Sequence, residues 1–295
     1  DFISAGIPSM GSVPHSFRLE RDVLSRGPVD LLFVEAAVND STNESRPESM
    51  LRGMEGVIRH ARTANPLTDV MQMHFVMPEH MTDYQNGRVP VSIARHESVA
   101  AAYGSVTLNL SREVTDRIAA GQFSWAGEFK DLHPSPFGQQ LYANSIIRTL
   151  EAGFGGAVAA AAKPHAMPDK PLDPHSYFRG RLAPVSEARP GKGFTLEPAW
   201  KPADGKGTRD GFVNVPALTS TTPGSEFSFT FEGTAAGLFI AAGPDAGHIA
   251  FSIDGSPFRE TDTFTAWSSG LHLPWALIRD DPPQPGIPTV TARLA

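Results

Sequence analysis

The chain has 295 residues, with 25 Lys and Arg against 32 Asp and Glu, a formal charge of −7 that argues against nucleic acid or an anionic membrane as the main partner. Cysteine is absent, which excludes disulfides, thiolate zinc sites and a cysteine nucleophile. Apolar residues make up 40% and charged residues 19%, ordinary values for a globular chain long enough for two domains, and no apolar run approaches the ~20 residues of a membrane span.

The chain opens in mid-pattern, because Asp1 to Gly6 reads as the end of a strand. Val29 to Val38 is a nearly continuous apolar run, the signature of a strand buried on both faces. Val70 to Met77 and Val106 to Leu110 are two more. Between them, Pro47 to Ala64 carries Met50, Leu51, Met54, Val57, Ile58 and Ala61 at helical spacing. Arg88 to Tyr103 is a second helix candidate, and Pro136 to Leu150 a third, with Ser135 as its N-cap. This alternation predicts a parallel α/β sheet over residues 1–154. Residues 155–175 are rich in Gly, Ala and Pro and read as a linker. From 176 to 295 only short strands are expected: Glu226 to Phe231, Gly237 to Ala242, Ile249 to Ile253, Leu273 to Ile278 and Thr289 to Leu294, with a tight turn at Asp254-Gly255. They predict an all-β sandwich.

Two polar turns stand out. Val38-Asn39-Asp40-Ser41-Thr42 ends the strongest strand signal, and Asp131-Leu132-His133-Pro134-Ser135 precedes the third helix. A carboxylate, a histidine and an asparagine amide on such loops are parts of an acyl-transfer site. No serine stands where that site needs its nucleophile. Either turn alone has a plainer explanation, a helix cap for Asp131 or Ser135 and a simple turn for Asn39-Asp40. His74 and His80 match no metal spacing and read as a strand residue and a solvated loop residue. Glu35, inside a buried strand, is expected to pair with an arginine such as Arg18, with lining the site as its second role. In the downstream region, Phe264, Trp267 and Trp275 suit either sugar stacking or a sandwich core, with core filling expected for at least two of them.

Residues 1–154 resemble the SGNH/GDSL hydrolase superfamily of serine esterases. Ser4-Ala5-Gly6-Ile7 is similar to its glycine block, Ala37-Val38-Asn39-Asp40 to its asparagine block, and Asp131 to Ser135 to its histidine block. The resemblance implies a flavodoxin-like three-layer fold and four site residues. His133 would be the general base and Asp131 its orienting carboxylate, while the Asn39 amide and the Gly6 N–H, with Gly11 as the alternative in the same loop, would bind the oxyanion. Two positions depart from the family pattern. Lys130 holds the usual carboxylate place three residues before the histidine, and Ala37 replaces a glycine. The Gly-Asp-Ser block that carries the nucleophile has no counterpart, which places the serine upstream of Asp1, within about 40 to 80 further residues. The expected reaction is hydrolysis of an ester, an O-acetyl group on a carbohydrate, without metal or organic cofactor. The alternatives are an inactive carbohydrate-binding protein and an acyltransferase using the same site.

Overall fold

The computed structural model describes residues 1–156, 161–279 and 287–295. It forms two units: Asp1–Ile3 with Met10–Arg181, and Ser4–Ser9 with Leu182–Ala295.

The first unit is α/β. Its strands β1 (Leu31–Glu35), β2 (Asp69–Met73) and β3 (Val106–Leu108) form a parallel sheet in that order. Its helices are α1 (Ser12–Asp22), α2 (Ala37–Thr42), α3 (Pro47–Ala64), α4 (Pro78–Gln85), α5 (Val91–Tyr103), α6 (Leu110–Ala119) and α7 (Pro136–Phe154). Helix α3 starts on Pro47, whose missing N–H costs nothing in a first turn. It buries Met50, Met54, Val57, Ile58 and Ala61 and packs against α1 and α5. A separate core joins Met81 of α4, Leu110 and Val114 of α6, and Leu141 and Tyr142 of α7, with Val76, Phe123 and Phe129 from the intervening loops. Because the strands are parallel, the segments leaving their C-terminal ends gather along one edge of the sheet. That edge carries Asn39 after β1, His74 to His80 after β2 and Asn109 after β3. Among the described residues β1 pairs with β2 alone, and its Phe33 is 37% exposed.

Several expectations change in detail. Asp1 to Gly6 forms no strand. The run Val29 to Val38 is strand only as far as Glu35, whose carboxylate accepts the Val38 N–H at 3.1 Å and caps α2. Asn39 and Asp40 therefore lie on a short helix, not in a turn. Leu110 opens α6 instead of ending a strand, because the Asn109 side chain accepts the Arg112 N–H at 2.9 Å. Helices α1 and α4 carry too few apolar residues for the period to be visible. Of the expected linker, residues 157–160 lie outside the described residues, while His165 to Tyr177 makes hydrogen bonds within the first unit.

The second unit is all β. It holds β4 (Arg189–Pro190), β5 (Thr195–Trp200), β6 (Val215–Thr219), β7 (Glu226–Thr230), β8 (Ala236–Ala242), β9 (His248–Ile253), β10 (Arg259–Asp262), β11 (Leu273–Arg279) and β12 (Thr289–Leu294). They form antiparallel sheets in the orders β10-β9-β12-β7-β4, β11-β8 and β5-β6. Phe227, Ile249, Phe251 and Val290 of the large sheet meet Leu218, Leu238 and Leu277 of the smaller ones, which makes a sandwich core. Asp254 and Gly255 link β9 to β10 with φ of 49° and 77°, the paired positive values of a tight hairpin turn. Strands β5, β6 and β10 lacked a clear alternating pattern, and β5 is largely exposed.

Candidate active site

Asn39 lies on α2 at this edge of the sheet, and its side-chain amide has no hydrogen-bond partner among the described residues. Its neighbour Asp40 is fully buried. One Asp40 oxygen accepts the Ser12 backbone N–H at 3.0 Å, and the other accepts from His96 Nε2 at 2.9 Å. Asp40 thus joins the start of α1 to α2 and to α5. Gly11 is the N-cap of α1 and lies against the same carboxylate: a Cβ there would fall 2.1 Å from Asp40 Oδ1. The next residue, Ser41, shares hydrogen bonds with His80 Nε2 at 2.9 Å and Ser92 Oγ at 2.8 Å.

The expected site residues fall in different places. Gly6 is exposed and belongs to the second unit, with open space where a side chain would be, whereas Gly11 belongs to the first. Asp131 and His133 follow a single π-turn, Trp125–Phe129, that ends at Lys130 with φ 86°. Asp131 Oδ1 accepts the His133 backbone N–H at 2.8 Å and lies 3.5 Å from its Nδ1. The His133 side chain is 89% exposed. Among the described residues no hydrogen bond links it to Asn39 or Gly11. Ser135 accepts the Gly138 N–H at 3.4 Å as the cap of α7, and its hydroxyl donates to the Glu128 carbonyl.

Beneath this edge lies a polar layer that the sequence did not announce. His80 is 2% exposed, so it is no solvated loop residue, and His74 is fully buried. Burial holds the His74 imidazole down to about 3, helped by the neighbouring His96 and His80 rings. His80 is lowered to about 4 by burial, against the opposing pull of the Phe75 carbonyl. His15 is lowered to about 4 by burial and by Arg18. Glu35 moves the other way: burial pushes its carboxyl up to about 7, despite the N–H groups of Val38, Ala37 and Phe75. It does not pair with Arg18, which binds Asp22 at 2.7 Å on its own helix. Among the described residues no three carboxylate or imidazole groups are arranged to hold a metal ion. The signal for this layer was the four-residue spacing of Ser92 and His96, which puts both on one face of α5.

In the second unit, Phe264 and Trp267 are 46% and 44% exposed on the segment between β10 and β11, so core filling fails for both.

Residues 1–141 match the family model described as GDSL-like Lipase/Acylhydrolase. No curated protein matches the sequence. Among solved structures, the chain is similar to a two-domain esterase active on acetylated mannans, with 21% identity over 99% of this chain and 74% of that one and a TM-score of 0.75. A structure of such an esterase co-crystallised with mannopentaose gives 20% identity, the same coverage and a TM-score of 0.69. At these identities the likeness is one of fold.

Proposed function

We propose, from the match of residues 1–141 to the GDSL-like lipase/acylhydrolase family model, that this chain is the greater part of a serine esterase that removes acetyl groups from a carbohydrate. The observation that carries this is the Asp40 tie, which sets two donors without a partner among the described residues, the Asn39 amide and the Gly11 N–H, on the two segments it joins. A carbonyl attacked by a serine becomes an oxyanion, and fixed donors stabilise it better than water that must reorient. We assign the backbone donor to Gly11 in preference to Gly6, because Gly11 is buried at the start of α1 beside Asp40.

His133 takes the serine proton as the tetrahedral adduct forms and returns it to the departing sugar hydroxyl. Asp131, 3.5 Å from Nδ1, holds the ring with Nε2 free to do so. Water then enters the same path and releases acetate. The serine is contributed by a strand preceding Asp1 that pairs with the free edge of β1. The side of β1 away from β2, which no strand among the described residues covers, and its half-exposed apolar side chains support this, because such an edge is costly to leave open. The carbohydrate part draws on the mannan-active esterases that share the fold. A second reading, a glycan-binding protein without turnover, is favoured by the exposed Phe264 and Trp267 alone.

A fluorophosphonate probe and intact mass distinguish the two. The expected result is no adduct on residues 1–295, one adduct on the upstream-extended protein, and release of acetate from acetylated mannan that His133→Ala abolishes. An adduct on a serine within 1–295 would overturn the upstream nucleophile. No adduct on either, with retention on a mannan column, would leave the glycan-binding reading.

A further inference from the structure

We infer that His96, acting through Asp40, is a positioning residue for the oxyanion donors. The inference rests on the esterase reading of Asn39 and Gly11. Asp40 is an acceptor with two oxygens and both are used, one by the Ser12 N–H and one by His96. Both side chains of the Asp40–His96 pair are fully buried, so water does not compete for either. Remove His96, and the carboxylate keeps a single protein donor in a dry site, where an incompletely satisfied charge relaxes by moving or by drawing in water.

That movement has a direction. Gly11 leaves no slack on the α1 side, since its α-carbon already faces Asp40 Oδ1 at a distance that excludes even a methyl group. The carboxylate therefore shifts with α2, the six-residue helix that carries Asn39. Helix α5 holds α2 at two successive residues, His96 on Asp40 and Ser92 on Ser41. Losing the first leaves Ser41 as a pivot, and Asn39 lies on the far side of Asp40 from it. A donor misplaced by a fraction of an ångström costs far more in the transition state than in substrate binding, because the oxyanion exists only in the former.

The test is a double-mutant cycle in the full-length, catalytically active protein, with kcat and KM measured on an acetyl ester at a temperature well below every variant's Tm. His96→Leu is expected to lower kcat about tenfold to hundredfold with KM changed less than about twofold. His96→Gln, which keeps a donor near the Nε2 position, should recover most of the loss. Asn39→Ala should lower kcat about a hundredfold or more. The decisive variant is Asn39→Ala with His96→Leu. If His96 works by placing Asn39, the double variant is little slower than Asn39→Ala alone, because the donor it would misplace is gone. Multiplying losses would make His96 merely structural and overturn the inference while leaving the esterase reading intact. An Asn39→Ala variant with unchanged kcat would overturn both the inference and the assignment of Asn39 as an oxyanion donor.

Discussion

Gly11 illustrates how much one missing methyl group can decide. A Cβ there would meet Asp40 Oδ1 at 2.1 Å and the Asp40 backbone N at 3.3 Å, so neither a rotamer change nor a small shift accommodates it. Gly11→Ala should therefore destabilise the first unit by about 1–3 kcal/mol, as overpacking does. Gly6→Ala, in open space, should leave Tm within a degree or so. Thermal unfolding of the two variants beside the parent checks this. The sequence pattern favours Gly6 with Gly11 as the alternative, because it does not show the carboxylate that packs on Gly11 from 29 residues away in the chain. Asn39, Asp131 and His133 are candidates through their blocks alone. The partners that hold Asn39's segment could not, since His96 and Ser92 come from a helix that carries none of those blocks.

Among the elements, β1 is an edge strand of the parallel sheet with a half-exposed apolar face. Its backbone groups on the side away from β2 have no strand partner among the described residues. Amides of β1 that point to that side should exchange with solvent quickly in residues 1–295, while those of β2, covered on both sides, exchange slowly. In an upstream-extended protein the same β1 amides should become protected. Hydrogen exchange read by mass spectrometry on peptides covering Leu31–Glu35 makes the comparison, and equal protection in both proteins would refute strand addition. Long periodic elements were legible from sequence: α3 runs from Pro47 to Ala64 as its spacing predicts. Strand ends were less legible. β1 stops at Glu35 because a side chain caps the following helix, and no apolar pattern encodes a cap. Helix α6 escaped notice because its first residue, Leu110, closes the apolar run of Val106 to Leu110, although Leu110, Val114 and Ile118 line one face of the helix.

For the molecule as a whole, the buried ionisable groups set how it tolerates acid. His15, His74 and His80 have folded values of about 4, 3 and 4, below the ordinary 6.5. Lowered values mean stability that is complete above about 6.5 and lost as pH falls toward 3 or 4. Glu35, raised to about 7 from 4.5, has the opposite sign: its contribution is complete below 4.5 and lost as pH rises through 7. Between pH 6.5 and 4.5 three imidazoles favour proton uptake on unfolding and one carboxyl opposes it, so unfolding of the first unit takes up about two protons. Stability should fall steadily as pH drops through this range and level off near 7. Urea midpoints at half-unit intervals measure it, and a midpoint that rises on acidification would show the carboxyl in control. The change from α/β elements to short strands was visible in composition. The acid response was not, because it depends on which histidines are enclosed, and sequence gives only their number.

The segment after α7 has a practical consequence for anyone dividing the gene. Glu55 is fully buried on α3, and its carboxylate is held by the Tyr103 hydroxyl at 2.5 Å and by the N–H groups of Leu172 and Asp173 at 2.6 and 3.3 Å. Asp173 also binds Arg52 at 2.9 Å, and the Pro168 carbonyl accepts from Arg59 at the same distance. A fragment ended at Phe154, where the last helix stops, would strip two of those three donors from an enclosed negative charge and leave two arginines of α3 without these acceptors. Expression of the first unit by itself should therefore carry the coding sequence through Arg181, and a stop codon placed at the helix end should yield insoluble material.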